Sequence, residues 1–392
     1  MSPVDATERA GSRRRTGREA LARMAVVASM ASGLLIAGPG LGGRGSTAWA
    51  QDCARHYVAG GDHIPAGHEV DESQRYPSHL LNDHLKTWGA WCVYDVAKNE
   101  ATSSNYITGG QLAQTWNYRP DLMTLTIGEE NSTVIDLVNS CFDKLKDHDF
   151  TGANVCAATI LGNSSLWTNL NLNLTTIFQQ YRMIMAGRPK LMVAVTGYPN
   201  PYPKSLDATE KIPELCAPLI DTIPTCTARW VQLPPALETI DQVFKKLNST
   251  IENAVKPFAI GSLGRFVYVD TYTKTRDHCM KMEVTIKTTV EHPEEEGAVH
   301  EHDSPAVNFG CDTPWVVAGD DGTKIPDYLD PAAIGVLTDK SQTTSGMGTH
   351  PNDDGHKCIS DLIWEADTLE PGVTPLKWKL GVPEAPKSDI CQ

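Results

Sequence analysis

The sequence predicts a three-layer α/β/α fold built on a doubly wound parallel sheet. Short apolar runs bounded by turn residues recur along the chain, and stretches with helical periodicity lie between them. Strand–helix alternation of this kind is typical of parallel sheets with right-handed crossovers. Ligands bind such sheets beyond the carboxyl ends of the strands. The runs that predict strands are residues 57–60, 121–128, 190–197 and 265–270.

Two apolar stripes predict the long helices of this fold. The first precedes the third predicted strand and the second precedes the fourth, each with apolar residues three or four positions apart. A last helix is expected to begin near Asp353. The stripes are Leu170, Leu174, Ile177, Phe178, Tyr181 and Met185, and then Leu237, Ile240, Phe244, Leu247, Ile251 and Val255.

Two segments, near 200–235 and 271–345, are predicted to be insertions into the domain. The first is rich in proline. In the second, residues 283–290 alternate with a period of two, which predicts a half-exposed strand. The acidic, histidine-containing segment 300–303 that follows is expected to lie in a loop.

The first 50 residues have the pattern of a secretory signal. Several arginines precede the apolar run 24–37, and Ala48-Trp49-Ala50 places small residues where a signal peptidase cleaves. No later segment has the 18 or more apolar residues of a membrane span. We therefore expect a secreted protein whose mature part, 51–392, is a single domain.

The net charge of the chain excludes some classes of binding partner. The formal net charge of the chain is −14, and the predicted signal contains more arginines than acids, so the mature part is more acidic still. Nucleic acids and anionic membranes repel such a protein. We expect a small-molecule, lipid or carbohydrate substrate, and the sequence leaves the oligomeric state open.

Disulfides are expected because all ten cysteines follow residue 50 and an even count in an exported chain is typical of paired cysteines. The absence of any Cys-x-x-Cys pair argues against a zinc cage. The sequence leaves the connectivity open, and the local pairs to expect are Cys53–Cys92, Cys141–Cys156, Cys216–Cys226 and Cys279–Cys311, with Cys358–Cys391 near the end of the chain.

The first predicted strand runs into a glycine-flanked turn, Gly-Asp-His-Ile-Pro-Ala-Gly, at residues 61–67. This turn resembles the opening block of the SGNH, or GDSL-type, hydrolases, in which a strand leads into Gly-Asp-Ser-x-x-x-Gly. The resemblance implies the flavodoxin-like sheet of that superfamily and ester hydrolysis by a serine nucleophile. Here His63 stands in the place of that serine.

Two further blocks resemble the oxyanion-binding segments of the superfamily. Residues 97–105 are similar to its Ser-Gly-Ala-Thr segment, with Glu100 in place of the glycine. Residues 125–132 are similar to its Gly-x-Asn-Asp block. Glu130 takes the position of the asparagine in a gapless match, and Asn131 takes it after a shift of one residue.

The last block, Thr-His-Pro-Asn-Asp-Asp-Gly-His at 349–356, resembles the ending that carries the catalytic histidine. His350 matches that histidine. Met347 stands where an aspartate is usual, and some secreted actinobacterial-type members lack that acid too. The resemblance therefore implies this branch of the superfamily.

The substitutions change the chemistry that the resemblance implies. A serine hydrolase needs its hydroxyl nucleophile, a base, and N–H donors aimed at the oxyanion. A carboxylate at position 100 or 130 would repel that oxyanion by roughly a few kcal/mol, which is about the value of the oxyanion hole itself. We therefore predict that the serine mechanism is lost.

Titratable side chains take the places of the missing groups, and a cluster of them in one crevice indicates a different chemistry. The predicted catalytic residues are Asp62, His63, Glu100, Glu130 and His350, and the predicted substrate- or oxyanion-binding residues are Gly61, Glu129 and Asn131.

The leading hypothesis is a secreted hydrolase of an ester or carbohydrate, with a remodelled, non-serine active site. A second hypothesis is a glycosidase-like enzyme that uses Glu100 with Glu130 or Glu129 as paired carboxylates. The third is a non-catalytic protein that binds a carbohydrate or lipid. No resident cofactor is predicted, although two histidines with carboxylates are also ligand types for a divalent metal.

Overall fold

The computed structural model describes most of the chain beyond the predicted signal. The predicted signal, 1–50, lies outside the described residues. Side chains are not described in the segment 281–329, where only strand positions are given. The described residues are 53–68, 70–131, 134–147, 149–202, 204–216, 230–261, 265–276, 281–291, 299–303, 307–310, 324–329 and 350–366.

The main sheet has five strands, all parallel, in the order β2-β1-β3-β4-β5. This is the flavodoxin-like order of a doubly wound sheet, so the predicted fold class is confirmed. Every residue of β3 and β4 is buried, as expected for strands covered on both faces by helices. The strands are β1 (Arg55–Gly61), β2 (Trp91–Asp95), β3 (Leu122–Thr126), β4 (Met192–Thr196) and β5 (Phe266–Val269).

The sequence interpretation missed β2. This strand lies at the edge of the sheet, pairs with β1 alone, and is only partly buried, so its apolar signal is weak. Trp91 is its one fully buried residue and packs in the core.

Helices connect the strands and flank the sheet. The apolar stripes predicted for the two long helices, α7 (Ser164–Gly187) and α9 (Leu233–Gly261), are buried, because they face the core. The helix predicted near Asp353 is confirmed. The helices are α1 (His63–Ala66), α2 (Tyr76–His79), α3 (Ser103–Thr108), α4 (Gln111–Tyr118), α5 (Val134–Lys146), α6 (Phe150–Gly162), α7 (Ser164–Gly187), α8 (Ser205–Cys216), α9 (Leu233–Gly261), α10 (Thr271–Lys274) and α11 (Asp353–Glu365), and a π-helical turn (Leu80–His84) and a 3₁₀ turn (Leu85–Trp88) follow α2.

The second predicted insertion contains a smaller, four-stranded sheet. The strand predicted at 283–290 is confirmed as part of its longest strand. The prediction of a loop at 300–303 is wrong, because these residues pair antiparallel with that strand and gain backbone hydrogen bonds there. The strands are β6 (Lys281–Glu291), β7 (Val299–Asp303), β8 (Val307–Gly310) and β9 (Lys324–Leu329).

Two of the predicted disulfides are present, Cys53–Cys92 and Cys141–Cys156. Cys358 is disulfide-bonded as well. The other predicted pairs involve cysteines outside the described residues or, for Cys216, a side chain that is not described. Among the described helices, none is both long and apolar enough to span a membrane.

Candidate active site

The candidate site lies where the strand order of the main sheet reverses, between β1 and β3. The chain leaves β1 towards β2 on one side, and β3 adds to the other side. Doubly wound sheets bind ligands in the crevice beyond the carboxyl ends of such strands. The segments that follow β1, β3 and β4 carry the side chains described below.

Gly61 makes the turn at the end of β1. Its φ is +132°, and a Cβ atom there would lie 1.8 Å from the backbone oxygen of Thr126, so only glycine fits. Its N–H group donates to the side-chain oxygen of Gln111 at 3.1 Å. Gly61, predicted as an oxyanion-binding residue, therefore shapes the turn with its N–H group already engaged.

His63 is the first residue of α1, and its ring is buried between two carboxyl groups. Nδ1 lies 2.9 Å from Oε1 of Glu130, and Nε2 lies 3.5 Å from Oε2 of Glu129. Burial lowers the pKa of His63, but the charge of Asp62 and the hydrogen bond to Glu130 outweigh it, together with the charge of Glu130 and that of Glu129 where it is ionised, and they raise this pKa to about 9. At neutral pH, His63 is therefore an imidazolium.

Glu129 and Glu130 occupy a tight turn after β3 but differ in exposure. The side chain of Glu129 is 6 % exposed and that of Glu130 is 17 % exposed. Burial raises the pKa of Glu129 to about 8; His63 opposes this rise, while Asp62 and Glu130 add to it. Glu129 is therefore mostly protonated at neutral pH and can act as a proton donor.

Asp62 is fully buried beside His63. One of its oxygens accepts the N–H of Ile64 at 3.2 Å and caps α1, and the other accepts the hydroxyl of Tyr198. Burial raises the pKa of Asp62 to about 6, although His63, Tyr198 and Ile64 all lower it. Asp62 is therefore mostly ionised above pH 6 and neutralises part of the charge on His63.

His350 precedes α11, and its ring packs edge-on against that of His63 with centroids 4.7 Å apart. The exposed His68 packs on it in the same way at 4.6 Å. Burial, and then the neighbouring histidines His63, His68 and His356, lower the pKa of His350 to about 3. At neutral pH, its ring is neutral and has a lone pair to accept a proton.

Contacts between α11 and the segment that begins with α2 fix the position of His350. His79 contacts Asp353 at 2.9 Å, and His84 contacts Asp361 at 2.7 Å. These side chains tie a helix near the end of the chain to the turns between β1 and β2.

Glu100 does not join the cluster. It has a φ of +59° on the loop after β2, its side chain is exposed, and no ion pair among the described residues links it to His63. The motif at 97–105 predicted which segment carries Glu100, but it could not predict the direction of the Glu100 side chain. The pairing of Glu100 with Glu130 is therefore not supported, and the carboxyl groups that meet at His63 are those of Glu129 and Glu130.

Asn131 is buried and bonds to Ser103. Its side-chain oxygen accepts the N–H of Ser103 at 2.6 Å, and its amide donates to the hydroxyl of Ser103. Asn131 thus ties the turn that carries Glu129 and Glu130 to the start of α3. Its role as an oxyanion-binding residue stays a prediction.

In the part of the chain that is described, the histidine, cysteine and carboxyl side chains do not have the arrangement of a metal centre. No group of three or more histidine, cysteine, aspartate or glutamate side chains there has an arrangement that could hold a metal ion. The two nitrogens of His63 face carboxyl groups on opposite sides of its ring, and the imidazolium has no lone pair to offer a metal ion.

Tyr198 and His68 were missed as site residues. Tyr198 directly follows the third predicted strand, so its place past a strand end was a usable signal. His68 lies five residues after His63, on the far side of a one-turn helix, and nothing in its spacing indicated its contact with His350.

Solved structures with a similar fold include several lipases and esterases. A phospholipase A1 from Streptomyces albidoflavus NA297 has 18 % identity and a TM-score of 0.40, with 58 % of this chain and 84 % of that chain covered. An extracellular lipase from Streptomyces rimosus has 16 % identity and a TM-score of 0.40, with 70 % and 93 % covered. A family 3 carbohydrate esterase from Clostridium thermocellum has 11 % identity and a TM-score of 0.32, with 56 % and 79 % covered.

No protein-family model matches the sequence, and a comparison with curated proteins gives no match either. The fold class stated above depends on the strand order and the parallel pairing of the main sheet.

Proposed function

We propose that this protein is a secreted hydrolase of an ester or carbohydrate that works by acid–base catalysis without a serine nucleophile. One observation carries the proposal: the ring of His63 lies between Glu129 and Glu130 and against His350, at the strand ends where doubly wound sheets bind ligands. Groups with strongly shifted pKa values in such a crevice are candidates for catalysis.

Glu129 is the proposed general acid. Its pKa of about 8 keeps its proton in place at neutral pH, as required of a group that protonates a leaving oxygen. Nε2 of His63 faces this carboxyl group and helps to hold it in position. On the other side of the ring, Nδ1 faces Glu130, and the positive charge of the imidazolium balances the negative charge of that carboxylate.

His350 is the proposed general base. Its neutral ring accepts one proton from water while the water oxygen attacks the carbonyl or anomeric carbon. The bond from that carbon to the leaving oxygen breaks, and the proton of Glu129 goes to the leaving oxygen. A solvent proton returns to Glu129, and His350 releases its own. A base with a pKa of about 3 is weak, so we expect a rate gain near the lower end of the usual ~10²–10⁴ range.

A glycosidase-like mechanism is the second candidate, because two carboxyl groups of unequal exposure flank His63. In this version, Glu129 is again the acid and Glu130 is the base that activates water. It differs from the first candidate in requiring Glu130 rather than His350 as the base.

The test is turnover of two substrate sets, p-nitrophenyl acyl esters and p-nitrophenyl glycosides, by the parent protein and single variants. We expect the parent to hydrolyse at least one set, and Glu129→Gln to lower kcat by about 100-fold or more. His350→Gln lowers it similarly in the first mechanism, and Glu130→Gln does so in the second. Glu100→Gln is the matched control, and its kcat should equal that of the parent.

Three results would contradict the proposal. Unchanged kcat in Glu129→Gln removes the general acid. Labelling of the parent by a fluorophosphonate, with loss of activity, would show a serine mechanism. A parent that binds these substrates but turns over none of them would be a non-catalytic binding protein.

A further inference from the structure

Tyr198 connects the ends of three strands through one hydroxyl group. It follows β4 and is fully buried. Its hydroxyl donates a hydrogen bond to Oδ2 of Asp62, which follows β1, and accepts the backbone N–H of Glu129, after β3, at 3.1 Å. A buried hydroxyl that donates to a carboxylate forms a charge-assisted hydrogen bond, which is stronger than a neutral one.

The backbone of Tyr198 is held by Asn248 of α9. The side-chain oxygen of Asn248 accepts the N–H of Tyr198 at 2.7 Å, and its amide donates to the carbonyl of Tyr198 at 3.0 Å. Two reciprocal bonds fix both peptide groups of the residue. The tyrosine ring is therefore anchored before its hydroxyl reaches the site.

We propose that Tyr198 is the positioning residue of this site, and that its hydroxyl holds the Asp62 side chain in place, keeps it ionised at neutral pH and holds the Glu129 turn beside it. The effect on Asp62 depends only on the observed contacts. The consequence for catalysis rests on the function proposed above.

The coupling passes through neighbouring charges. The Tyr198 hydroxyl donates to the ionised form of Asp62 and so lowers the pKa of this buried carboxyl. The ionised Asp62 in turn raises the pKa of the adjacent His63. The titratable groups that face or influence Asp62 are His63, Tyr76, Glu129, Glu130 and Tyr198.

The test is the Tyr198→Phe variant, which removes the hydroxyl and keeps the ring. The pKa of Asp62 is measured from the pH titration of its side-chain carboxyl carbon by NMR, with the resonance identified by its absence in Asp62→Asn. Without its donor, the carboxylate is less stabilised and Asp62 becomes neutral at a higher pH. We expect a pKa of Asp62 higher by about 1 than in the parent protein.

Tyr202→Phe is the matched control. Tyr202 is also buried and also follows β4, but its hydroxyl donates to the side chain of Asn139 at 2.8 Å, away from Asp62. Its variant should leave the titration of Asp62 unchanged. An equal shift in both variants would mean a general loosening of the site and would overturn the proposal.

A second measurement covers the case in which Tyr198→Phe does not fold. In the parent protein, protonation of Asp62 replaces a charge-assisted hydrogen bond with a neutral one, so the NMR resonance of the Tyr198 hydroxyl proton should shift as Asp62 titrates. A folded Tyr198→Phe protein in which Asp62 titrates as in the parent would overturn the proposal. A Tyr198 hydroxyl resonance that does not change as Asp62 is protonated would overturn it as well.

Kinetics separate this inference from the proposed function. In an active parent, Tyr198→Phe should lower kcat at least 10-fold with less change in KM, because positioning affects the reacting groups more than substrate binding. If Tyr198→Phe shifts the titration of Asp62 but the parent has no turnover, the role of Tyr198 is supported and the proposed function is contradicted. If Asp62 titrates normally in Tyr198→Phe and the turnover of the parent depends on Glu129, the proposed function is supported and the role of Tyr198 is contradicted.

Discussion

The ring of His63 lies between two carboxyl groups, with Glu130 on one nitrogen and Glu129 on the other. This arrangement changes the ionisation of both partners. At neutral pH, His63 carries a proton that a histidine in water mostly lacks, and Glu129 keeps one that a glutamate in water has lost. His63 is thus a buried cation.

Replacing this cation should destabilise the protein strongly. In His63→Gln, the carboxyl groups of Glu129 and Glu130 lose the charge between them, and breaking a buried pair in this way costs about 3–5 kcal/mol. We expect a fall of about 3 kcal/mol in the free energy of unfolding at pH 8, measured by urea denaturation.

His68→Gln is the control for this measurement, because His68 is exposed and has no carboxylate partner among the described residues. Its effect should be below about 0.5 kcal/mol, as for most surface substitutions. A loss in His63→Gln no larger than that in His68→Gln would contradict the buried-cation account.

At the scale of elements, the site depends on turns at strand ends that more distant contacts hold in place. The turn after β3 leads into α5, and the disulfide Cys141–Cys156 joins α5 to α6. The bond between Asn131 and Ser103 fixes the other side of this turn. The position of Glu129 therefore depends on the packing of α5 as well as on the sheet.

Loss of the disulfides should affect stability according to the length of the closed loop. Cys141–Cys156 closes a separation of 15 residues, and Cys53–Cys92 one of 39. The chain-entropy model predicts that the double alanine variant of the first pair loses about 3 kcal/mol and that of the second about 4 kcal/mol. Urea denaturation measures both, and the reverse ranking would show that native contacts, rather than loop entropy, dominate.

The sequence predicted the elements whose signals are strongest. The buried strands β1, β3, β4 and β5 and the helix at Asp353 were identified from their apolar patterns. The edge strand β2 was missed because it is half-exposed, and β7 because its polar sequence gives no apolar signal.

For the candidate site, the sequence could predict which residues lie near one another but not the directions of their side chains. The order of motifs past strand ends placed His63, Glu129, Glu130 and His350 near one another, as the contacts now describe. It could not show that Glu100 points outward, or that Asn131 bonds to Ser103. Those outcomes depend on local backbone angles and on tertiary partners.

At the scale of the whole molecule, the shifted groups predict a stability maximum in mildly acidic solution. Glu129 and His63 bind protons more tightly in the folded state than in the unfolded chain, because both pKa values are raised. The stabilisation from Glu129 is fully present below about pH 4.5 and is lost as pH rises to about 8, and that from His63 is fully present below about pH 6.5 and is lost as pH rises to about 9. The free energy of unfolding should therefore fall between pH 6.5 and 9.

Below about pH 6.5, the effect of pH on the free energy of unfolding has the opposite sign. His350 and His356 are buried and neutral, with pKa values lowered to about 3, so the unfolded chain binds their protons first as pH falls below about 6.5. The raised pKa values of Asp62 and Glu129 offset this loss down to about pH 4.5. Below that pH, stability should fall steeply.

Thermal unfolding from pH 4 to 9 measures this profile. In Glu129→Gln, the fall between pH 6.5 and 8 should be shallower than in the parent, because one of the two groups responsible is gone. A parent whose Tm rises steadily from pH 6.5 to 9 would contradict the assigned protonation states.

The pH dependence of kcat, measured on the p-nitrophenyl substrate that the parent hydrolyses best, tests the central claim most directly. If a protonated Glu129 supplies the acid, kcat should fall above an apparent pKa of about 8, and Glu129→Gln should lack this alkaline limb along with most of the activity. A kcat that rises through pH 8 to a plateau, with Glu129→Gln following the same curve, would contradict the account.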